Sequence, residues 1–215
     1  MGKYTPKLPK AVIEYEVRDK DGKLIDKGKF PAKSWVGNII GLLSCIISTW
    51  SSAQSSYYAT APSRSDLLDT GGNARGLGLA AATANYPTLG GCAPAGDTSA
   101  GIVVGSSDTS VSIGQFSLQS LISHGTGSGQ LSYGATTVEA LTKNTTWYFR
   151  IVRTFTNSSG ATVTVREIGL YVRLGVISAS PYYASVMFAR DVPASAINVP
   201  NGSTLTVRYI ISHSL

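Results

Sequence analysis

Charged residues are scarce in this chain. Only 14% of its 215 residues are Asp, Glu, Lys or Arg, whereas a typical soluble domain has about 25%. No charged side chain occurs between Ser34 and Ser63. A monomer with this composition would present much uncharged surface to water, so the sequence favours a subunit that covers part of its surface against neighbouring subunits.

Histidine and cysteine are scarce as well, with two residues of each. Cys45 and Cys92 lack the spacing of a metal site and are expected to be free thiols. His124 lies in a Gly/Ser turn and His213 lies near the end of the sequence, and no G-x-S-x-G elbow accompanies them. The chain is therefore predicted not to be an enzyme and to bind no metal or cofactor.

Three short patterns resemble functional motifs, and a structural interpretation is preferred for each. Asp19-Lys20-Asp21-Gly22 lacks the later ligands of a calcium loop and is predicted to be a hairpin turn. Residues 76–81 fit the dinucleotide pattern G-x-G-x-x-A, but no apolar strand precedes them. Glu167 is predicted to form a structural ion pair with Arg150 or Arg153, and not to be a catalytic carboxylate.

The net charge of +6 is unevenly distributed. Residues 1–33 carry nine basic and five acidic side chains, residues 34–149 carry three and five, and residues 150–215 carry six and two. Residues 1–10 are predicted to form an extended basic arm. The basic ends could contact nucleic acid, but a solvated surface is the preferred interpretation because the Lys and Arg residues occur singly.

A helix is predicted from Trp35 to Trp50, because apolar residues recur there at helical spacing and surround most of its faces. It is about 17 residues long, the lower limit for crossing a bilayer, and no stable membrane span is predicted. Burial within the fold or at a subunit contact is preferred. The candidate interface residues are Trp35, Ile39, Leu43, Ile46, Trp50, Tyr57 and Tyr58.

Most of the remaining sequence alternates between apolar and polar residues, which is typical of half-buried strands. Asn157 to Gly160 is predicted to be a hairpin turn. The predicted strands are 11–18, 23–30, 101–104, 109–118, 131–141, 146–156, 161–173, 185–190 and 204–212. They indicate a mainly all-β fold: an antiparallel β-sandwich of jelly-roll type, with one apolar N-terminal helix and long loops.

The sequence divides into a basic arm (1–10), a β-hairpin plus apolar helix (11–50), a Gly/Ala/Ser-rich extended loop region (51–110) and a sandwich core (101–215). Long loops of this kind are commonly functional or ordered by a partner. Three N-x-S/T sequons, at Asn144, Asn157 and Asn201, lie at predicted turns, which are expected to be exposed.

The C-terminal third carries the order RxFxNSSGxxxTVxEIGLY from Arg153 to Tyr171, FARDV from Phe188 to Val192, and VPxGxxLTVxY within Val199 to Ile210. This order resembles a module of structural proteins in tailed bacteriophages and archaeal viruses, some of them tail or portal adaptors. The hairpin and apolar segment that begin at Asp19 look similar to the N-terminal part of such proteins.

The resemblance implies a virion protein, located at the tail or vertex, that forms a symmetric homo-oligomeric ring between the capsid or portal and the tail. Its implied partners are copies of itself and other virion proteins, with weak contact to viral DNA. Two alternatives remain open. One is a receptor- or glycan-binding tail tip protein that uses exposed tyrosines of the pairs Tyr57-Tyr58 and Tyr182-Tyr183. The other is an internal virion protein that contacts nucleic acid.

Overall fold

The computed structural model describes residues 10–32, 34–38, 67–75, 89–143, 146–176 and 182–214. This part of the chain is mainly β-structure in antiparallel sheets, as predicted. The strands are β1 (Lys10–Arg18), β2 (Leu24–Pro31), β3 (Leu67–Leu68), β4 (Ala74–Arg75), β5 (Leu89–Gly90), β6 (Gly101–Gly105), β7 (Ser132–Tyr133), β8 (Thr137–Lys143), β9 (Thr146–Thr156), β10 (Val163–Val165), β11 (Glu167–Val176), β12 (Tyr182–Asp191), β13 (Ile197–Val199) and β14 (Thr204–Ser214).

The larger sheet has six strands in the order β2-β1-β14-β9, with β7 and β8 both paired along the far side of β9. The sequence alternation that predicted β1 and β14 has its physical basis here, because alternate residues face opposite sides of a sheet. Ile13 and Val17 of β1 and Leu205 and Val207 of β14 are buried, while the residues between them are more exposed.

The second sheet consists of β12 and β11, with β5 and β6 paired along the far side of β11. Buried side chains from this sheet, from the larger sheet and from the β10–β13 pair belong to one hydrophobic cluster. All five residues of β6 are buried. The main core of the protein therefore lies between the two sheets.

Other segments of the chain cover part of β12 and part of β6 at the edges of the second sheet. Along β12, Trp35 and Asp69 form isolated bridges to Ala189 and Val186. Along β6, the amide of Ile122 donates to the carbonyl of Val104, 3.0 Å away. These segments occupy edge groups that would otherwise be free to pair with another chain.

The structure corrects five of the predicted elements. The predicted strand 131–141 is divided into β7 and β8, and the predicted strand 161–173 is divided into β10 and β11, which belong to different sheets. Trp35 lies in an extended segment bridged to β12, so the helix does not begin there, and residues 39–50 lie outside the described residues. The segment 109–118 is a loop and not a strand. The turn at Asn157–Gly160 does not form a hairpin, because β9 pairs with β14 whereas β10 pairs with β13. The turn at Asp19–Gly22 joins β1 to β2 as predicted, with Gly22 at a φ of 80°.

Parts of the region predicted to be an extended loop, 51–110, pack against the sheets. Leu67 is fully buried and clusters with Val172, Leu174 and Phe188. The segment 89–105 supplies β5, β6 and the buried Ala93 and Ala100. No helix in the described ranges is long and apolar enough to cross a membrane.

Candidate functional site

Several polar residues of the C-terminal pattern are buried inside the protein. Those with almost no exposed surface are Arg153, Asn157, Glu167, Arg190 and Asp191. Burying charged and amide groups without partners is costly, so each must be hydrogen-bonded within the fold. Their contacts form four buried networks, which we call the polar braces.

The first brace is the ion pair between Glu167 of β11 and Arg190 of β12. Nε of Arg190 lies 2.6 Å from Oε2 of Glu167, and both side chains are fully buried. The two carboxylate oxygens also accept the backbone amides of Ser120 at 2.7 Å and Gln119 at 3.1 Å. Glu167 therefore binds one strand neighbour and the loop that crosses above it.

Arg190 extends this brace to the other end of the same loop. Its Nη1 donates to the carbonyl of Thr109 at 2.9 Å and to Oε1 of Gln115 at 3.3 Å. The remaining Nη2 has no acceptor among the described residues. The pair thus fixes both ends of a loop whose tip residue, Ile113, is 77% exposed.

The loop 106–121 can approach the sheet closely because Gly105 has no side chain. A Cβ atom at Gly105 would overlap a carboxylate oxygen of Glu167 and the carbonyl of Ser120. The hydroxyl of Tyr171 accepts the amide of Leu118 at 2.7 Å. Burial raises the pKa of Tyr171 to about 12, so the phenol is neutral in the folded protein.

The second brace is centred on Arg153, which points from β9 into the core. Its guanidinium donates to five backbone carbonyls and lies over the ring of Tyr133, 4.8 Å from the centroid. The acceptors belong to Pro94, Asp97, Ala100, Ile102 and Gly134, at 2.5 to 3.3 Å. Arg153 therefore fixes the path of residues 94–102 through main-chain contacts.

Asp97 adds side-chain contacts to this segment. Its carboxylate accepts the amide and hydroxyl of Ser99 at 2.8 and 2.6 Å, and it also pairs with Arg173 of β11. Burial alone would raise the pKa of Asp97, but the hydrogen bonds from Ser99 and the charge of Arg173 outweigh it and lower the pKa. The carboxylate is therefore ionised in its braced position.

The third brace connects the two sheets through tyrosines. Tyr209 of β14 donates from its hydroxyl to Oδ2 of Asp191 in β12, 2.9 Å away, and Tyr133 of β7 donates to the carbonyls of Val104 and Ile122. Burial raises the pKa of both phenols well above the usual value. The hydroxyl groups of these two neutral tyrosines therefore link the two sheets by hydrogen bonds.

The fourth brace is the carboxamide of Asn157. Nδ2 donates to the carbonyls of Ala161 and Val199 at 2.8 and 2.6 Å, and Oδ1 accepts the amide of Ser159 at 2.9 Å. The expectation that this sequon is exposed is wrong, because Asn157 is fully buried. Asn201 is exposed as expected, and Asn144 lies outside the described residues.

The predicted partners of Glu167 are placed elsewhere. Arg150 faces the outside of the larger sheet and pairs with Glu139 at 2.8 Å. Arg153 makes the carbonyl contacts described above, and Arg190 is the actual partner of Glu167. Glu167 forms a structural ion pair as predicted, but its partner is Arg190 and neither of the two predicted arginines.

Of the candidate interface residues, only Trp35 is described, and it packs partly buried against the main core. Ile39, Leu43, Ile46, Trp50, Tyr57 and Tyr58 lie outside the described residues, so their role stays a prediction. Cys92 is a free, exposed thiol. His124 accepts the amide of Tyr133 at its Nδ1.

Within the described ranges, no group of three or more His, Cys, Asp or Glu side chains is placed to hold a metal ion. Comparison with known proteins gave no match: no family model matches the chain, and neither do the curated proteins or the solved structures.

Proposed function

We propose that the chain is a structural virion protein of β-sandwich architecture, whose copies assemble into a symmetric ring between the capsid or portal vertex and the tail. The observation that carries the proposal is the use of the polar residues in the C-terminal pattern. Arg153, Asn157, Glu167 and Arg190 are all buried and hold loops against the sheets. The pattern on which the resemblance to virion proteins rests thus corresponds to a set of structural braces.

Two further features support a building-block role. The low content of charged residues suits a subunit with much covered surface. The braces hold loops in fixed positions at points distributed over both sheets, and this rigidity lowers the entropy cost of assembly. A protein that forms a symmetric ring needs such a body, since each interface has to repeat with the same geometry.

The proposal is tested by measuring the mass of the purified protein across a wide concentration range by sedimentation velocity, followed by electron microscopy. We expect closed rings of uniform size, and labelled antibodies should mark one end of intact particles. A protein that stays monomeric at high concentration and also within particles would contradict the proposal. The glycan-binding alternative stays a prediction, because Tyr57 and Tyr58 lie outside the described residues and the structure describes only the backbone of Tyr182 and Tyr183.

A further inference from the structure

The turn that follows β13 is hydrogen-bonded to the turn that contains the fourth brace. The amide of Asn157 donates to the carbonyl of Ser203 at 2.9 Å, and the amide of Gly202 donates to the carbonyl of Asn157 at 2.8 Å. Oδ1 of Asn201 accepts the amide of Gly160, 2.9 Å away. The buried Asn157 is therefore linked directly to a turn whose own asparagine is exposed.

Asn201 is followed by a glycine, and the two residues of an Asn-Gly pair can react with each other. The amide nitrogen of the glycine attacks Cγ of the asparagine, the Cγ–Nδ2 bond breaks, and ammonia leaves with the proton of that amide. Glycine favours the attack because it has no Cβ atom that would obstruct it. Water then opens the succinimide ring at either of its two carbonyl carbons, which gives aspartate or isoaspartate.

We propose that Asn201 is a modification site of this kind, and that the fourth brace slows the reaction in the folded protein. The nucleophile is the amide nitrogen of Gly202, whose N–H group donates to the carbonyl of Asn157. While this hydrogen bond is intact, the nitrogen cannot lose its proton and approach Cγ of Asn201. The reaction therefore requires a local opening of the two turns.

The hydrogen bond from Gly160 acts in the opposite sense. An N–H donor at Oδ1 of Asn201 stabilises the negative charge that develops there when Cγ is attacked. This stabilisation contributes only after the nucleophile is released, because no ring closes while the amide of Gly202 is held by Asn157. The hydrogen bond to Asn157 therefore determines the rate in the folded state.

The two products have different consequences for the brace. Aspartate at this position keeps a side-chain oxygen that can accept the amide of Gly160. Isoaspartate carries the main chain through its side-chain carbon, which adds one atom to the backbone of the turn. The turn is closed by the amide of Ser203, which donates to the carbonyl of Pro200 at 3.0 Å. A longer backbone shifts the amides of Ser203 and Gly202 away from their acceptors, so isoaspartate should loosen the brace around Asn157.

The first experiment compares the folded protein with the chain unfolded in guanidinium chloride, both in the same mildly alkaline buffer. Mass spectrometry of tryptic peptides detects the replacement of the amide by a carboxylate. The loss of Asn201 should be roughly tenfold slower, or more, in the folded protein. Asn198 is the internal control, because it lies in the same tryptic peptide, between Arg190 and Arg208, and is followed by the branched Val199. It should react slowly in both states.

The second experiment weakens the brace without altering the reacting pair. Asn157→Ala removes the carboxamide but keeps the backbone carbonyl that holds Gly202. In the folded variant, Asn201 should therefore be lost several-fold faster than in the wild type, and hydrogen exchange at the amide of Gly202 should increase with it. Ser158→Ala, at an exposed position of the same turn, is the matched control and should react like the wild type.

Equal rates in the folded and unfolded wild type would overturn the proposal, as would an unfolded chain in which Asn201 does not react. A folded Asn157→Ala protein that reacts no faster than the wild type would overturn the role of the brace. Circular dichroism shows whether this variant is folded. If it is not, its rate should equal that of the unfolded wild type, and the first experiment decides. Wild-type protein that has accumulated isoaspartate should melt at a lower temperature than fresh protein.

Discussion

Nε of Arg190 donates to Oε2 of Glu167 across 2.6 Å, and neither side chain is accessible to solvent. The two residues are on adjacent strands, but the groups they hold lie on a loop more than forty positions before Glu167. The ion pair is therefore the point at which two strands and a distant loop are joined. Removing the ion pair should therefore destabilise both strands and the loop.

We expect Glu167→Gln to lower the free energy of unfolding by about 3–5 kcal/mol, because it leaves the Arg190 cation buried without its counter-charge. The amide nitrogen of Gln would also face backbone N–H donors. Urea denaturation measures the loss. The matched control is Glu139→Gln, which removes the partner of an arginine at the surface and should cost about 1 kcal/mol or less. Equal losses for the two variants would contradict the role given to burial.

Arg153→Lys should destabilise the protein by about 3 kcal/mol or more, although the charge is kept. A lysine has three donors on one nitrogen and cannot reach five carbonyls in different directions. Hydrogen exchange should increase at the amides of Gly96 and Thr136. Gly96 lies within the segment that Arg153 holds, and Thr136 donates to the carbonyl of Ala93, next to that segment. Arg166→Lys, at an exposed pair with Asp108, should change stability by about 0.5 kcal/mol. Unchanged exchange at Gly96 and Thr136 would argue against the brace.

Asn157→Asp is expected to cost about 3 kcal/mol, because two carbonyls would face a carboxylate in place of an amide donor. Asn201→Asp makes the same chemical change at an exposed sequon. There the side-chain oxygen accepts the amide of Gly160, and a carboxylate preserves that contact. Thermal unfolding of the two variants should differ clearly. Similar melting temperatures would show that the Asn157 carboxamide is not a brace.

Alkaline pH should unfold the protein through its buried phenols. The pKa values of Tyr133, Tyr171 and Tyr209 are raised by burial, that of Tyr171 to about 12. A raised pKa in the folded state means that the stabilisation is complete below the unfolded value of about 10 and is lost as pH rises toward the folded value. The free energy of unfolding should therefore fall between about pH 10 and pH 12.

The ionisation of these tyrosines can be followed by the near-ultraviolet absorbance of tyrosinate. In the native protein the titration should have two phases, with the second coinciding with unfolding. In concentrated urea the chain, which has eleven tyrosines, should titrate in one phase near pH 10. A single phase without urea would contradict the burial of these phenols.

Period-two alternation predicted most of the long strands, and it also contained a signal that the prediction did not use. On β9, Phe149, Ile151 and Phe155 share one face, and Arg153 falls on that same face. An arginine in line with core residues indicates a buried guanidinium. Arg150 falls on the opposite face, so alternation alone separates the roles of the two arginines.

The segment 109–118 could not be predicted in the same way. Its apolar residues Val111, Ile113 and Phe116 suggest a strand, but its path is set by Glu167 and Arg190, which are distant in sequence. The NSSG turn was misread for a related reason. Asn157–Gly160 has hairpin chemistry, yet tertiary pairing places the strands on either side of it in different sheets.

Arg153 has a consequence for how the sequence can vary. It recognises residues 94–102 by their main-chain oxygens, and a carbonyl is the same in every residue type. Exposed positions in this segment, such as Pro94 and Ala95, can therefore be exchanged without altering its path. A single arginine allows the surface chemistry of the segment to diverge between descendants of this chain while its shape is inherited.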